Sequence, residues 1–172
     1  MDVQRILVPV DYSEDSHQAL QWGASLSAKY GAKLILLHVI PKAVEEIYPS
    51  GPEWITPFTP PSYYCEGMAP GSRPRRTEPM IINLQEKAQA QLADFAHTHL
   101  KDPVPMDVQV VVGSPAEEIV RVAREQRVDL IVIGTHGRTG LRHLLLGSVA
   151  EEVTRQAPCP VFTVRIGAKE AA

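Results

Sequence analysis

The chain has no apolar run long enough to cross a membrane; stretches such as residues 34–37 and 130–133 are strand-sized. Cysteine is scarce. Cys65 and Cys159 stand alone, with no CxxC pair and no spacing suited to a metal. That usage suits a reducing compartment and leaves a single disulfide open as an alternative. The first residues lack the long apolar segment of a signal peptide, because Asp2, Arg5 and Asp11 bracket only residues 6–10, with Pro9 among them. A cytoplasmic location is the expectation. Neither sign of charge dominates: a formal net charge of −3 over 172 residues gives no footprint for nucleic acid or an anionic membrane surface.

Several catalytic signatures are missing too. There is no Walker-type GxxxxGKS/T, so no lysine is presented to a γ-phosphate in that manner. No GxGxxG follows the first strand-like run, which speaks against an ordinary dinucleotide fold. No GxSxG elbow occurs, and no histidine and carboxylate share metal-ligand spacing. Cys159, between Pro158 and Pro160, reads as a small packed residue rather than a nucleophile.

What the chain does have is a regular alternation of β-type runs and helix-length segments. Residues 6–10 read as a buried strand, with Pro9 near its end, where a missing N–H is tolerable. Residues 15–29 carry Ala19, Leu20, Trp22, Ala24, Leu26 and Ala28, a mostly helical pattern that stops at Tyr30-Gly31. Residues 33–40 are apolar on both faces, as in a central parallel strand. Leu84, Ala88, Leu92, Phe95 and Ala96 mark a helix over 81–100, and 108–112 is a third strand. Ser114-Pro115-Ala116-Glu117 has the form of a capping box with proline at the first helical position, opening a helix that ends near Gln126. Strand four is 130–133, a last helix covers 149–156, and strand five is Val161–Val164. This order predicts an α/β fold, an open parallel sheet with helices on both faces. Ligands of such sheets sit beyond the C-terminal strand ends, where the winding direction reverses. With strands one and four as central neighbours, that place falls at Asp11 and Gly134.

Residues 41–79 break the alternation. They hold nine of the fifteen prolines, along with Tyr48, Trp54, Phe58, Tyr63 and Tyr64. Two readings stand: a variable loop, or a flap whose aromatics pack on a ligand or a second copy. Arg73, Arg75 and Arg76 suit an anion or merely face solvent. The chain as a whole reads as a single domain, residues 1–172, carrying this insertion.

The richest stretch is Gly134-Thr135-His136-Gly137, directly after strand four, with Gly147-Ser148 following after nine intervening residues. A strand end, a glycine loop and a helix N-terminus in that order are what a phosphate needs: close backbone approach, outward N–H groups and a favourable dipole. Gly137 and Gly147 are the expected phosphate contacts through backbone N–H groups. Ser148 adds a hydroxyl, and Gly134 lets ribose and phosphate lie against the end of strand four. Arg138 supplies countercharge or faces solvent; His136 braces the loop or reaches a phosphate. Asp11 is placed to accept from a ribose hydroxyl or to help hold a magnesium ion. Its alternative is an Asx turn or N-cap for the next helix, which Ser13 also offers. Val39 presents apolar surface and backbone groups to a base. The same glycines also fit an ordinary βα connection that needs only turns.

Strand one ending Val8-Pro9-Val10-Asp11, then Ser13-Glu14 and Ala19-Leu20, resembles the start of the universal stress protein family. So does the run from Gly31-Ala32 through Lys33-Leu34 to Leu37-His38-Val39. The likeness is strongest from 134–141 through 146–151 to 157–161, where the spacing G-x2-G-x9-G-S/T is that of the family's ATP-binding branch. It spans everything but 41–79 and the tail after Arg165. The resemblance implies a Rossmann-like five-stranded sheet in order 3-2-1-4-5, ATP binding, and a homodimer through strand five; the Asp11 carboxylate leaves magnesium beside the ATP as an option. It places Pro9, Val10, Asp11 and Val39 around adenine and ribose. Ile133, Gly134, Gly137, Arg138, Gly147, Ser148 and Val149 then line the phosphates. The functional expectation is a cytoplasmic, dimeric, ATP-binding sensor or adaptor in stress response, with a protein partner but neither nucleic acid nor membrane. No residue is assigned a catalytic role. A slow ATPase and a nucleotide-free dimeric adaptor are the rivals: sustained turnover supports the first, and purified protein that binds no nucleotide the second.

Overall fold

The computed structural model describes residues 2–41, 78–100, 104–135 and 146–165, with the backbone alone for 78–84. Five strands form a single parallel sheet: β1 (Arg5–Pro9), β2 (Lys33–Pro41), β3 (Met106–Gly113), β4 (Leu130–Gly134) and β5 (Val161–Val164). Their order is β3-β2-β1-β4-β5. The helices between them are α1 (Glu14–Tyr30), α2 (Glu78–His99), α3 (Pro115–Glu125) and α4 (Ser148–Gln156).

The period of two along each strand sorts the core into two layers. Ile6, Val8 and Val10 face α1 and α2 with Leu34, Leu36 and Val132, against Ala19, Leu20, Leu92 and Ala96. Leu7, Ile35, Leu37, Ile131 and Ile133 face α3 and α4, against Ile119, Val122, Ala150 and Val153. Strands covered on both faces explain why β1, β2 and β4 read as continuous apolar runs. Burying one such Leu or Ile contributes about 1.5–3 kcal/mol, so two layers carry most of the fold.

Local signals account for most helix ends. Ser13 caps α1 with its side chain, and α1 stops where Gly31 takes a left-handed φ of +65°. Ser114 is the N-cap of α3 and Pro115 its first residue, yet the Ser114 hydroxyl makes no cap bond. The capping-box expectation is therefore corrected to a cap in backbone form only. The ψ angle is 163° at Ser13 and 122° at Ser114, and only the first aims its oxygen at a first-turn amide. Helix α2 begins at Glu78, three residues before the predicted start, with Pro79 in a first turn where a missing N–H costs no bond. Both ends of the 41–79 stretch thus belong to regular elements, since Pro41 closes β2. Its aromatics and Arg73, Arg75 and Arg76 lie outside the described residues.

Candidate functional site

β1 pairs with β2 at five positions, Arg5 to Pro9, but with β4 only at Ile6↔Leu130 and Leu7↔Ile131. Beyond those two pairs β1 and β4 lead into different connections, with β2 and β3 on one side and β4 and β5 on the other. This is the switch point of the sheet, the place where such folds bind ligands. Asp11 and Gly134 both stand there, as the order of elements predicts.

The β1–α1 turn is tightly bonded within itself. Asp11 Oδ1 accepts from the Ser13 N–H at 3.0 Å and from the Ser13 hydroxyl at 2.5 Å. Ser13 Oγ in turn accepts from the Ser16 N–H at 3.2 Å. Asp11 is thus an Asx-turn residue and Ser13 the helix cap, so one carboxylate oxygen is committed to the turn. Between them Tyr12 adopts φ +65°, a left-handed conformation rare for an aromatic residue. Its ring packs against His38 at 4.9 Å and edge-on against Phe95 at 5.2 Å. Phe95 also meets His99 at 4.3 Å and His17 at 6.2 Å, so α2 leans on the first turn of α1. The Tyr12 hydroxyl is buried with no partner among the described residues, and burial pushes its pKa up to about 12. His38 Nδ1 lies 2.7 Å from the Val10 carbonyl, an acceptor that requires the proton on that nitrogen.

The β4 end is built around Thr135. Its N–H donates to the Val164 carbonyl at 2.8 Å, and its carbonyl accepts from the Gly147 N–H at 2.6 Å. Its hydroxyl donates to Asp15 Oδ2 at 3.1 Å, both residues being buried. Just before it, a Cβ on Gly134 would lie 2.8 Å from the Asp15 carbonyl carbon. Gly134 is therefore demanded by the close approach of α1, a reason that holds with or without a ligand.

Helix α4 starts differently from α1. Gly147 is its N-cap, with φ −71° and ψ 154°, and as a glycine it offers no side-chain cap. Its first backbone bond runs from the Glu151 N–H to the Gly147 carbonyl. No group among the described residues accepts from the N–H of Ser148, Val149 or Ala150. Orphan first-turn amides with the positive end of the helix dipole behind them make an anion-binding geometry. Ser148 is exposed and Val149 half-buried.

The sequence-predicted site residues fall into four groups. Asp11, Gly134, Ser148 and Val149 stand at strand ends or a helix start with surface to offer, as do half-buried Pro9 and Val39. Val10 and Ile133 are buried in opposite core layers, and the Val10 N–H and carbonyl are both engaged. Gly147 has its N–H committed to Thr135, so the amides left open belong to the residues after it. Its φ of −71° is also one that any residue adopts. His136, Gly137 and Arg138 lie outside the described residues. Cys159 packs against the α3–α4 layer, and burial pushes its thiol pKa up, as expected of a packed residue. Sequence reasoning missed Tyr12, Asp15, His38 and Thr135 as parts of this end of the sheet. Thr135 sat inside the glycine motif, but an isolated hydroxyl carries no signal of its partner 120 residues away. Among the described residues there is no group of three or more His, Cys, Asp or Glu side chains able to hold a metal, and no helix long and apolar enough to cross a membrane.

A five-stranded parallel sheet in this order, with an anion-ready helix start near its switch point, defines a Rossmann-like α/β protein. The family model of the universal stress protein family matches residues 2–58 and 63–165. Universal stress protein MJ0577 of Methanocaldococcus jannaschii is 31% identical over 165 residues, covering 94% of each chain. Its solved structure superposes with a TM-score of 0.70 at 26% identity, covering 98% of this chain and 100% of that one. The chain belongs to the universal stress protein family. A universal stress protein solved in complex with cAMP has a TM-score of 0.58 at 22% identity and covers 96% of this chain and 98% of its own. One from Archaeoglobus fulgidus in complex with dAMP has a TM-score of 0.55 at 20% identity, covering 95% of this chain and 99% of that one.

Proposed function

We propose that this protein binds adenine nucleotide, ATP foremost, and acts in the cytoplasm as a dimeric sensor or adaptor in stress response. The observation that carries this reading is the uncapped start of α4, whose Ser148 and Val149 amides are open among the described residues near the sheet's switch point. The phosphates lie on those amides, with Gly137 and Arg138 as further contacts. The base and ribose lie towards Pro9, Asp11 and Val39. A magnesium ion finds one carboxylate at Asp11 and takes its other ligands from phosphate and water. Adenine nucleotides in the cAMP and dAMP complexes of two proteins of this fold support the choice of ligand. Calorimetry with ATP, and mass spectrometry of ligand released from gently purified protein, test it. The expected result is an adenine nucleotide in the protein and saturable ATP binding. Protein that carries and binds none is instead the nucleotide-free adaptor.

The edge strand supports the dimer. β5 is paired on its β4 side, and Phe162 projects from it 40% exposed. Trp22 of α1, 49% exposed, lies 5.7 Å from the Phe162 ring and extends the apolar surface beside the edge. An unpaired apolar edge is a hazard that pairing with a second copy about a two-fold axis removes. Light scattering at micromolar concentration should give the mass of two chains, and Thr163→Pro, which deletes a ladder donor, should give the mass of one. A wild-type mass of one chain contradicts the dimer.

A further inference from the structure

We infer that Asp15 and Thr135 form a positioning pair that holds the phosphate-binding start of α4 in register with the end of β4. This inference rests on the nucleotide reading above and names two residues that act on the ligand only through others. Thr135 is the meeting point of three elements. Its N–H reaches the last residue of β5 at 2.8 Å, its carbonyl fixes the Gly147 amide at 2.6 Å, and its hydroxyl reaches Asp15 Oδ2 in the first turn of α1 at 3.1 Å. Gly147 immediately precedes the open amides of Ser148 and Val149. The orientation of the Thr135 peptide therefore sets where those amides point.

Both side chains are buried, Thr135 5% and Asp15 9% exposed, so their bond forms in a region of reduced dielectric where orientation is well defined. Asp15 is itself anchored. It lies two residues after the Ser13 cap, in the first turn of α1, and its backbone packs directly on Gly134 with no room for a Cβ. The chain of contacts is short: the rigid start of α1, the Thr135 hydroxyl, the Thr135 carbonyl, the Gly147 amide, and then the phosphate-binding turn. A supporting shell of this kind fixes a site to a fraction of an ångström, the scale on which hydrogen bonds to phosphate are won or lost.

The test separates positioning from general stability by comparing ATP with adenosine, which has the base and ribose but no phosphate. Thr135→Val keeps shape and removes the donor; Asp15→Ala removes the acceptor; Thr135→Ser restores the hydroxyl. Each is checked for folding by circular dichroism before titration calorimetry. The valine and alanine variants should lose about tenfold in ATP affinity with adenosine affinity unchanged, and the serine variant should match wild type. The double variant should lose no more than either single one, because the pair acts as a unit. Equal losses for ATP and adenosine, or an unchanged ATP affinity in a folded Thr135→Val protein, overturn the inference while leaving nucleotide binding intact. If neither variant folds, the pair is a determinant of the fold rather than of the site, and the inference is overturned. Wild-type protein that binds no ATP instead removes the nucleotide reading on which it rests.

Discussion

Helices α1 and α4 begin at the C-terminal ends of neighbouring strands and treat their first-turn amides in opposite ways. At α1, Ser13 caps the Ser16 N–H and Asp11 holds Ser13 in place. At α4 the N-cap is Gly147, which has no side chain to offer. The backbones are nearly alike, φ −73° and ψ 163° at Ser13 against φ −71° and ψ 154° at Gly147. The difference is therefore one of side-chain chemistry and not of chain path. One helix start is closed by its own sequence and serves stability. The other is left open among the described residues, which costs stability and suits an external anion.

Closing the open end should produce the largest effect. Gly147→Asp places a capping carboxylate where the backbone already accepts one, so the protein should fold as well as wild type or gain a few tenths of a kcal/mol. The same carboxylate occupies the amides and repels phosphate, so ATP affinity should fall more than tenfold, above about 1.4 kcal/mol. Thermal melts and calorimetry read the two effects separately. Opening the closed end should act the other way round. Ser13→Ala should cost about 1 kcal/mol of stability in urea denaturation, since it removes a cap and one partner of Asp11. Its loss of ATP affinity should be smaller than that of Gly147→Asp.

Tyr12 gives the smallest effect at neutral pH. Its buried hydroxyl has no partner among the described residues, so Tyr12→Phe should leave stability unchanged or raise it by less than about 1 kcal/mol. The pH dependence has a definite sign. The phenol pKa is raised from 10.0 to about 12 in the folded state, so the folded protein holds that proton more tightly than the unfolded chain. The contribution is complete below the unfolded value and is lost as pH rises through the folded one. Denaturation curves of wild type and Tyr12→Phe should diverge in the wild type's disfavour across that alkaline interval. Parallel curves would place the hydroxyl in contact with solvent.

The fold was legible because its signals are periodic or local. Buried strands such as 34–37, the proline at the start of α3 and the Gly31 stop each report on their own few residues. The switch-point argument also located Asp11 and Gly134 correctly. What could not be read is which group each polar atom meets. Ser13 and Ser114 look alike in sequence, yet only Ser13, with ψ 163° against 122°, makes its cap bond. Gly134 suggested ligand contact, and no local pattern showed that the backbone of α1 also leaves no room there for a Cβ. Gly147 suggested an open amide and turned out to lend that amide to Thr135. The Asp15–Thr135 bond joins elements far apart in the chain, and no local pattern encodes it.

Whether phosphate sits on the uncapped start of α4 can be read residue by residue from amide NMR. Uniformly 15N-labelled protein titrated with ATP should show its largest shifts at the Ser148 and Val149 amides, with adenosine moving them far less. The Glu14 and Asp15 amides at the capped start of α1 should move little with either. ATP that binds without shifting Ser148 and Val149 would contradict the account.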